Sequence, residues 1–366
     1  EFLRRERSTS VAGEVEYAFR HVLVRDVSYG QIPRGKRADK HVLAARWIES
    51  LERPEDHAEM VAHHYLQALE LLRAAGEPTE DVAPTARQAF REAGNRAYSL
   101  NSFPAAVRFY DEALALGAAE DADDADVRFR RARALYLAGG EEREAALEEA
   151  RETLLANGDS ERAAEADALL AEMWWHRGNT DRTLEHLERA RAMVEALPPS
   201  PGKAHVFSQV ARYRALQEDN EAAIRIGTEA LTMAEALGLE ELQAHGLNNI
   251  GIAKLNLGDL TAVDDLERSV EIALAAHSPE AARAYNNLGV LAWARGDFRR
   301  ACALVDEAVA VGERLGNAFV VKYSRLIQLE QLFQKGDWDG ALRGADEFLA
   351  ACEAGEPHYM ESALRI

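Results

Sequence analysis

Apolar residues recur three and four positions apart over long stretches of this chain, the spacing that lines one face of an α-helix. Tyr285-Asn286-Asn287-Leu288-Gly289-Val290-Leu291-Ala292-Trp293 is one such stretch, and Ala301 to Leu304 with Val305 to Ala308 begins the next. Between them lies Gly296-Asp297-Phe298, a punctuation that returns as Gly336-Asp337-Trp338. Upstream it reads Gly258-Asp259-Leu260, Glu218-Asp219-Asn220, Gly178-Asn179-Thr180, Gly139-Gly140 and Asn101-Ser102-Phe103. Successive members stand 38 to 40 residues apart, and seven units at one period mark a helical repeat.

The punctuation has a physical reason. Glycine ends a first helix because it tolerates the left-handed conformation. The Asp or Asn after it accepts hydrogen bonds from the open N–H groups of the second helix. One helix pair cannot bury its apolar face alone, so neighbours stack into a solenoid. The expected fold is all-α, a right-handed α-solenoid of helix pairs behind an N-terminal, mostly helical linker segment. Residues 85–366 hold about seven pairs, and residues 1–75 fall outside the period. Breaks at Leu197-Pro198-Pro199-Ser200-Pro201-Gly202 and at the Asp-rich Gly117 to Asp126 read as longer inter-repeat loops, with a hinge as the alternative at the first.

Composition narrows the partners. The 366 residues carry 63 Asp and Glu against 43 Lys and Arg, a formal charge of −20. Such a surface repels nucleic-acid phosphate and anionic lipid. It favours solubility, and a groove of this charge would select a basic peptide. Cys302 and Cys352 stand alone, which fits a reducing cytoplasm rather than a disulfide framework or a zinc site. No apolar run approaches a membrane span. The opening Glu1-Phe2-Leu3-Arg4-Arg5-Glu6-Arg7 has neither a signal-peptide core nor an initiator Met, so the chain reads as an excised piece.

The punctuation, the small contacts at Leu288-Gly289 and Ile250-Gly251, the small positions Ala301 and Ala308 and the large Tyr285 together resemble the tetratricopeptide repeat family. The units are longer than is usual there, and Arg214 and Lys254 stand where that family prefers a large apolar residue. A second resemblance lies in Tyr17-Ala18-Phe19-Arg20-His21-Val22-Leu23-Val24-Arg25-Asp26-Val27 and Pro54-Glu55-Asp56-His57-Ala58-Glu59. These are similar to the segment joining a winged-helix module to helical repeats in bacterial signalling ATPases, including class III adenylate or guanylate cyclases. That likeness implies catalytic modules upstream of residue 1. It implies no chemistry here, and no Gly-x4-Gly-Lys-Ser/Thr phosphate loop occurs. The final Pro357 to Leu364 looks like the opening of a further first helix.

Candidate chemistry within the chain is sparse. His57 and His64 share a helical face with His63 nearby, but His-Glu-x-x-His is absent and packing is the plainer reading. His21 and His41 read as interface contacts. No nucleophile elbow, Cys–His pairing or carboxylate couple occurs, so the chain reads as a binding surface without catalytic, metal or cofactor residues.

The tetratricopeptide resemblance implies a partner-binding wall built from fixed positions on each first helix. One column is Arg91, Phe129, Ala168, Ser208, Asn248, Asn286 and Leu326. A second is Tyr98, Tyr136, Trp175, Ala215, Leu255, Trp293 and Phe333. Asn can both donate to and accept from a peptide backbone, and aromatics give contact area at small entropic cost. The expected contacts are Asn248 and Asn286 with His245 and Arg283 nearby, together with Trp175, Trp293, Tyr98 and Tyr136. The expected role is a sensory or regulatory array of a cytoplasmic signalling protein that binds a protein or peptide and biases upstream modules of the same chain. A small-molecule inducer site, as in MalT-like activators, and a self-assembly scaffold are the alternatives.

Overall fold

The computed structural model describes residues 2–6, 15–51, 53–117, 122–316, 318–354 and 361–364. The helices divide into two compact units, Glu1–Ala138 and Gly139–Ile366.

In the first unit, strands β1 (Leu3–Arg5) and β2 (Tyr17–Phe19) form an antiparallel hairpin pairing Leu3 with Phe19 and Arg5 with Tyr17. Helices α1 (Val22–Gly30), α2 (Arg34–Glu49), α3 (Ala58–Ala75), α4 (Ala83–Ser99), α5 (Phe103–Leu114) and α6 (Ala122–Ala138) follow. The hairpin is a feature the helical periodicity does not announce. Helices α2 and α3 do not stand apart as a connector. Ala45, Ile48, Val61, Tyr65 and Leu69 share one core with Phe90, Tyr110 and Val127 from the repeat helices.

The Asp-rich stretch is not a loop throughout. Residues 118–121 lie outside the described residues, but Asp123 and Asp124 sit in the first turn of α6, where the helix dipole favours acid. Arg87 and Arg91 of α4 pair with both carboxylates, which further offsets the like charge.

The second unit runs α7 (Arg143–Ala156), α8 (Ser160–His176), α9 (Thr180–Val194), α10 (Pro201–Leu216), α11 (Asn220–Ala236), α12 (Glu240–Asn256) and α13 (Ala262–Ala275). It continues through α14 (Glu280–Ala294), α15 (Phe298–Leu315), α16 (Ala318–Gln334), α17 (Trp338–Glu353) and the short α18 (Glu361–Leu364). Consecutive helices pack against each other, and α8, α10, α12, α14 and α16 also touch in succession to form one wall. This is an α-solenoid. Of the expected C-terminal helix opening, Glu361–Leu364 is helical, and Pro357 to Met360 lie outside the described residues. Among the described residues no helix is long and apolar enough to cross a membrane.

All seven punctuation residues turn left-handed: φ is +58° at Asn101, +73° at Gly139 and Gly178, +65° at Glu218, +77° at Gly258, +78° at Gly296 and +87° at Gly336. The caps follow. Asp297 Oδ1 accepts from Arg300 N at 3.1 Å, Asp337 from Gly340 N at 3.0 Å and Asn179 from Arg182 N at 3.1 Å. A second series of left-handed turns at Gly158, Gly238, His277 and Gly316 joins one repeat to the next. The Pro-rich break is a short loop that Ser200 ends by capping Lys203 N at 3.2 Å, while Lys203 Nζ ties the carbonyls of Glu195 and Leu197 at 2.8 and 2.7 Å. The cations at apolar repeat positions are paired, Arg214 with Glu188 of α9 and Lys254 with Asp265 of α13 at 2.6 Å.

Candidate functional site

The first-helix wall of the second unit carries one short polar motif three times running. It reads His205-x-x-Ser208-Gln209 on α10, His245-x-x-Asn248-Asn249 on α12 and Arg283-x-x-Asn286-Asn287 on α14. Residues three and four apart share a helix face, so each helix presents three polar side chains to the same wall. Adjacent helices then bond through them. Ser208 Oγ lies 2.6 Å from His245 Nδ1, and Asn249 Nδ2 donates to the Ser208 carbonyl at 2.9 Å. Asn286 Nδ2 donates to Ser324 Oγ of α16 at 2.7 Å. Asn287 Nδ2 donates to Asn248 Oδ1 at 2.8 Å; with that amide turned over, its oxygen accepts instead from Arg283 Nε and Nη2 at 3.0 and 3.1 Å. At the flanks Arg212 Nη1 donates to Glu172 of α8 at 2.9 Å, and Arg283 pairs with Glu280 at 2.8 Å.

Four expected contact residues therefore lie in one buried polar seam. Asn248 is 0% exposed, Asn286 1% and His245 5%, so their amides and ring mostly bond neighbouring helices. The Arg212 and Arg283 side chains remain 15% and 17% exposed. Two amide oxygens, Gln209 Oε1 and Asn286 Oδ1, are buried without a hydrogen-bond partner among the described residues. An unmet buried acceptor costs free energy.

Burial holds His245 well below the usual histidine value, and Arg283, Arg212 and His205 push it the same way. Asn249 Nδ2 lies 3.1 Å from Nδ1. An amide nitrogen only donates, so Nδ1 accepts and the neutral ring keeps its proton on Nε2.

Two turns beyond Asn286, Trp293 stacks edge-on against Phe298 with centroids 4.6 Å apart. It also lines a cavity of 260 Å³ between α14 and α16, walled by Gly289, Val290, Tyr323, Ile327 and Gln331. The other aromatic candidates differ. Trp175 packs on Tyr213 at 5.4 Å as part of the helix core. In the first unit Tyr98 packs on Phe103 at 5.5 Å under the Arg133 guanidinium, and Tyr136 is half-buried.

The histidines of the first unit form their own chain. Tyr29 Oη lies 2.7 Å from His41 Nε2, and His41 Nδ1 lies 2.9 Å from His64 Nδ1. Among the described residues no group of three or more His, Cys, Asp or Glu side chains is placed to hold a metal ion.

Sequence reading singled out Ser208, His245, Asn248, Arg283 and Asn286 of the seam and missed His205, Gln209, Arg212, Asn249, Asn287 and Ser324. The repeated motif could have shown Gln209, since it aligns with Asn249 and Asn287. Arg212 has no polar counterpart on α12 or α14, where Ile252 and Val290 stand.

A tetratricopeptide repeat family model matches residues 162–236 and 242–314, which span α8 to α15. No curated protein matches the chain in sequence. Among solved structures, the apo form of the quorum sensor NprR from B. thuringiensis superposes with a TM-score of 0.59 at 10% identity, covering 90% of this chain and 91% of that one. The apo form of RapI gives 0.56 at 10% identity over 77% of this chain and 99% of that one. A signal transduction ATPase with numerous domains and a tetratricopeptide repeat sensor, from Pyrococcus horikoshii, gives 0.52 at 15% identity. There 96% of this chain matches 54% of the other. At such identities the likeness is one of fold: the chain is an all-α solenoid, and residues 162–236 and 242–314 of it are similar to tetratricopeptide repeats.

Proposed function

We propose that the first-helix wall of the second unit binds an extended peptide, free or as a segment of a protein, and that the chain is the sensory part of a larger signalling protein. The observation that carries this is the polar motif repeated on α10, α12 and α14 and nowhere else along the wall, with unmet acceptors at Gln209 and Asn286. A peptide backbone presents N–H donors along its length, and two amide oxygens on separate helices suit such a ligand. The adjoining cavity at Trp293 supplies an apolar anchor. Its 260 Å³ fits one large side chain and falls below the roughly 300–1,000 Å³ of most small-molecule pockets. That favours a peptide over a metabolite inducer.

The sensory role and the multidomain context have a separate support. It consists of the N-terminal resemblance to signalling ATPases and the fold shared with the P. horikoshii ATPase and the quorum sensor NprR. On that reading an ATPase or cyclase module belongs to the same protein, and peptide binding biases its state in the cytoplasm.

The test is a random-peptide array probed with the purified chain, followed by titration of the retained peptides. Trp293→Ala, which removes the pocket wall, should weaken them by about tenfold or more, the scale of losing one buried aromatic contact. Peptides that bind Trp293→Ala and Asn286→Ala as well as the native chain would place the site elsewhere.

A further inference from the structure

At the centre of the wall charge is matched, Arg212 by Glu172 and Arg283 by Glu280. The cavity between α14 and α16 differs. Glu330 stands in its lining, and among the described residues no Lys or Arg pairs with it. Its carboxylate accepts there only from Gln334 Nε2, at 3.2 Å. Gln331 lines the same cavity and is only 6% exposed, yet its side-chain amide has no hydrogen-bond partner among the described residues. Val290, Ile327 and the rings of Trp293 and Tyr323 supply the apolar walls, and no Lys or Arg is among the lining residues. Burial raises the Tyr323 hydroxyl above its ordinary value, and the Glu330 charge pushes it the same way. The field of that carboxylate thus reaches inside.

We infer that this cavity takes a basic side chain of the bound peptide, arginine or lysine, its methylene stem along Val290 and Ile327. Its cation lies against the Trp293 and Tyr323 rings, and its N–H groups donate to Glu330 and Gln331. This rests on the peptide-binding reading above and names the side chain that fills its anchor pocket. Aromatic faces attract a cation, most strongly where water is excluded. A neutral apolar side chain would cover the Gln331 amide and the Glu330 carboxylate without satisfying either, which costs free energy. An acidic one would meet Glu330 as a like charge at close range. The net charge of −20 adds attraction for a cation over the last ~10 Å of approach, inside the screening length.

The same random-peptide array tests this once its retained peptides are remade with each arginine replaced by citrulline and each lysine by norleucine, neutral residues of similar length. Replacement at one position should weaken binding by about tenfold. Glu330→Gln, at an exposed position where folding is not at stake, should weaken the unmodified peptides by about two- to fivefold. It should also shrink the penalty for the neutral residue, the sign that the two groups interact. Trp293→Leu, which keeps an apolar wall but no ring, should shrink that penalty further. Peptides that need Trp293 but bind equally with a neutral replacement at every position would overturn the inference and leave peptide binding standing. So would an undiminished charge preference in Glu330→Gln and Trp293→Leu variants that melt like the native chain, since the cation would then rest elsewhere. An array that retains nothing removes the peptide-binding reading itself, and this one with it. Where Trp293→Leu fails to fold, the native chain and Glu330→Gln still decide.

Discussion

At the scale of single residues, buried charge and backbone conformation set the sharpest expectations. Asp167 of α8 is fully buried and held from both sides, by Arg151 of α7 at 3.2 Å and by His186 and Arg189 of α9 at 2.8 and 3.0 Å. Removing one member of such a cluster strands the others without a counter-charge, so Asp167→Ala should cost about 3–5 kcal/mol. Urea denaturation checks it, and a loss under about 1 kcal/mol would mean that water reaches the clamp. The left-handed turns offer a finer contrast. Glu218 holds φ +65° with a side chain that resists it, a strain of about 1–2 kcal/mol. Glycine would relieve it but adds about 0.4–1 kcal/mol of unfolded-state entropy. Glu218→Gly should therefore gain up to about 1 kcal/mol, whereas Asn101→Gly at φ +58° should gain nothing, because Asn already tolerates this region. Equal gains at both sites would show that the turn chemistry is irrelevant here.

At the scale of helices, close approach replaces conformation as the deciding quantity. A Cβ on Gly251 would stand 2.7 Å from Leu266 Cγ and 3.4 Å from the Ala262 carbonyl, while one on Gly289 would stand 3.1 Å from Val305 Cγ2. Leu266 is fully buried and cannot swing away. Gly251→Ala should thus cost about 1–3 kcal/mol, and Gly289→Ala less, in a paired denaturation measurement; the reverse order would discredit this packing. These glycines, the seven turns and the Asp caps were legible because each answers to residues within its own helix pair. The N-terminal hairpin was not, since Leu3–Arg5 and Tyr17–Phe19 are too short to show a period. The turns at Gly158, Gly238, His277 and Gly316 hid because a lone glycine among helical residues looks like any other. The candidate site was half legible. Repeat position tells that Asn248 and Asn286 face the wall. Only the fold shows that they are largely spent on Arg283 and Ser324, through contacts 35 and 38 residues apart in sequence.

At the scale of the whole molecule, histidines held below their usual value make stability depend on pH. His41 and His64 in the first unit, and His176 and His245 in the second, all lie below the ordinary histidine value of 6.5, with burial the largest cause in each. The unfolded chain then binds protons that the folded chain refuses. The stability they contribute is complete above pH 6.5 and is lost as pH falls towards the folded values. Most carboxylates titrate lower, near 4, so the interval from about pH 7.5 to 5.5 isolates the histidines. The urea midpoint should fall across it, and His245→Gln should narrow that fall; identical falls in both proteins would clear His245.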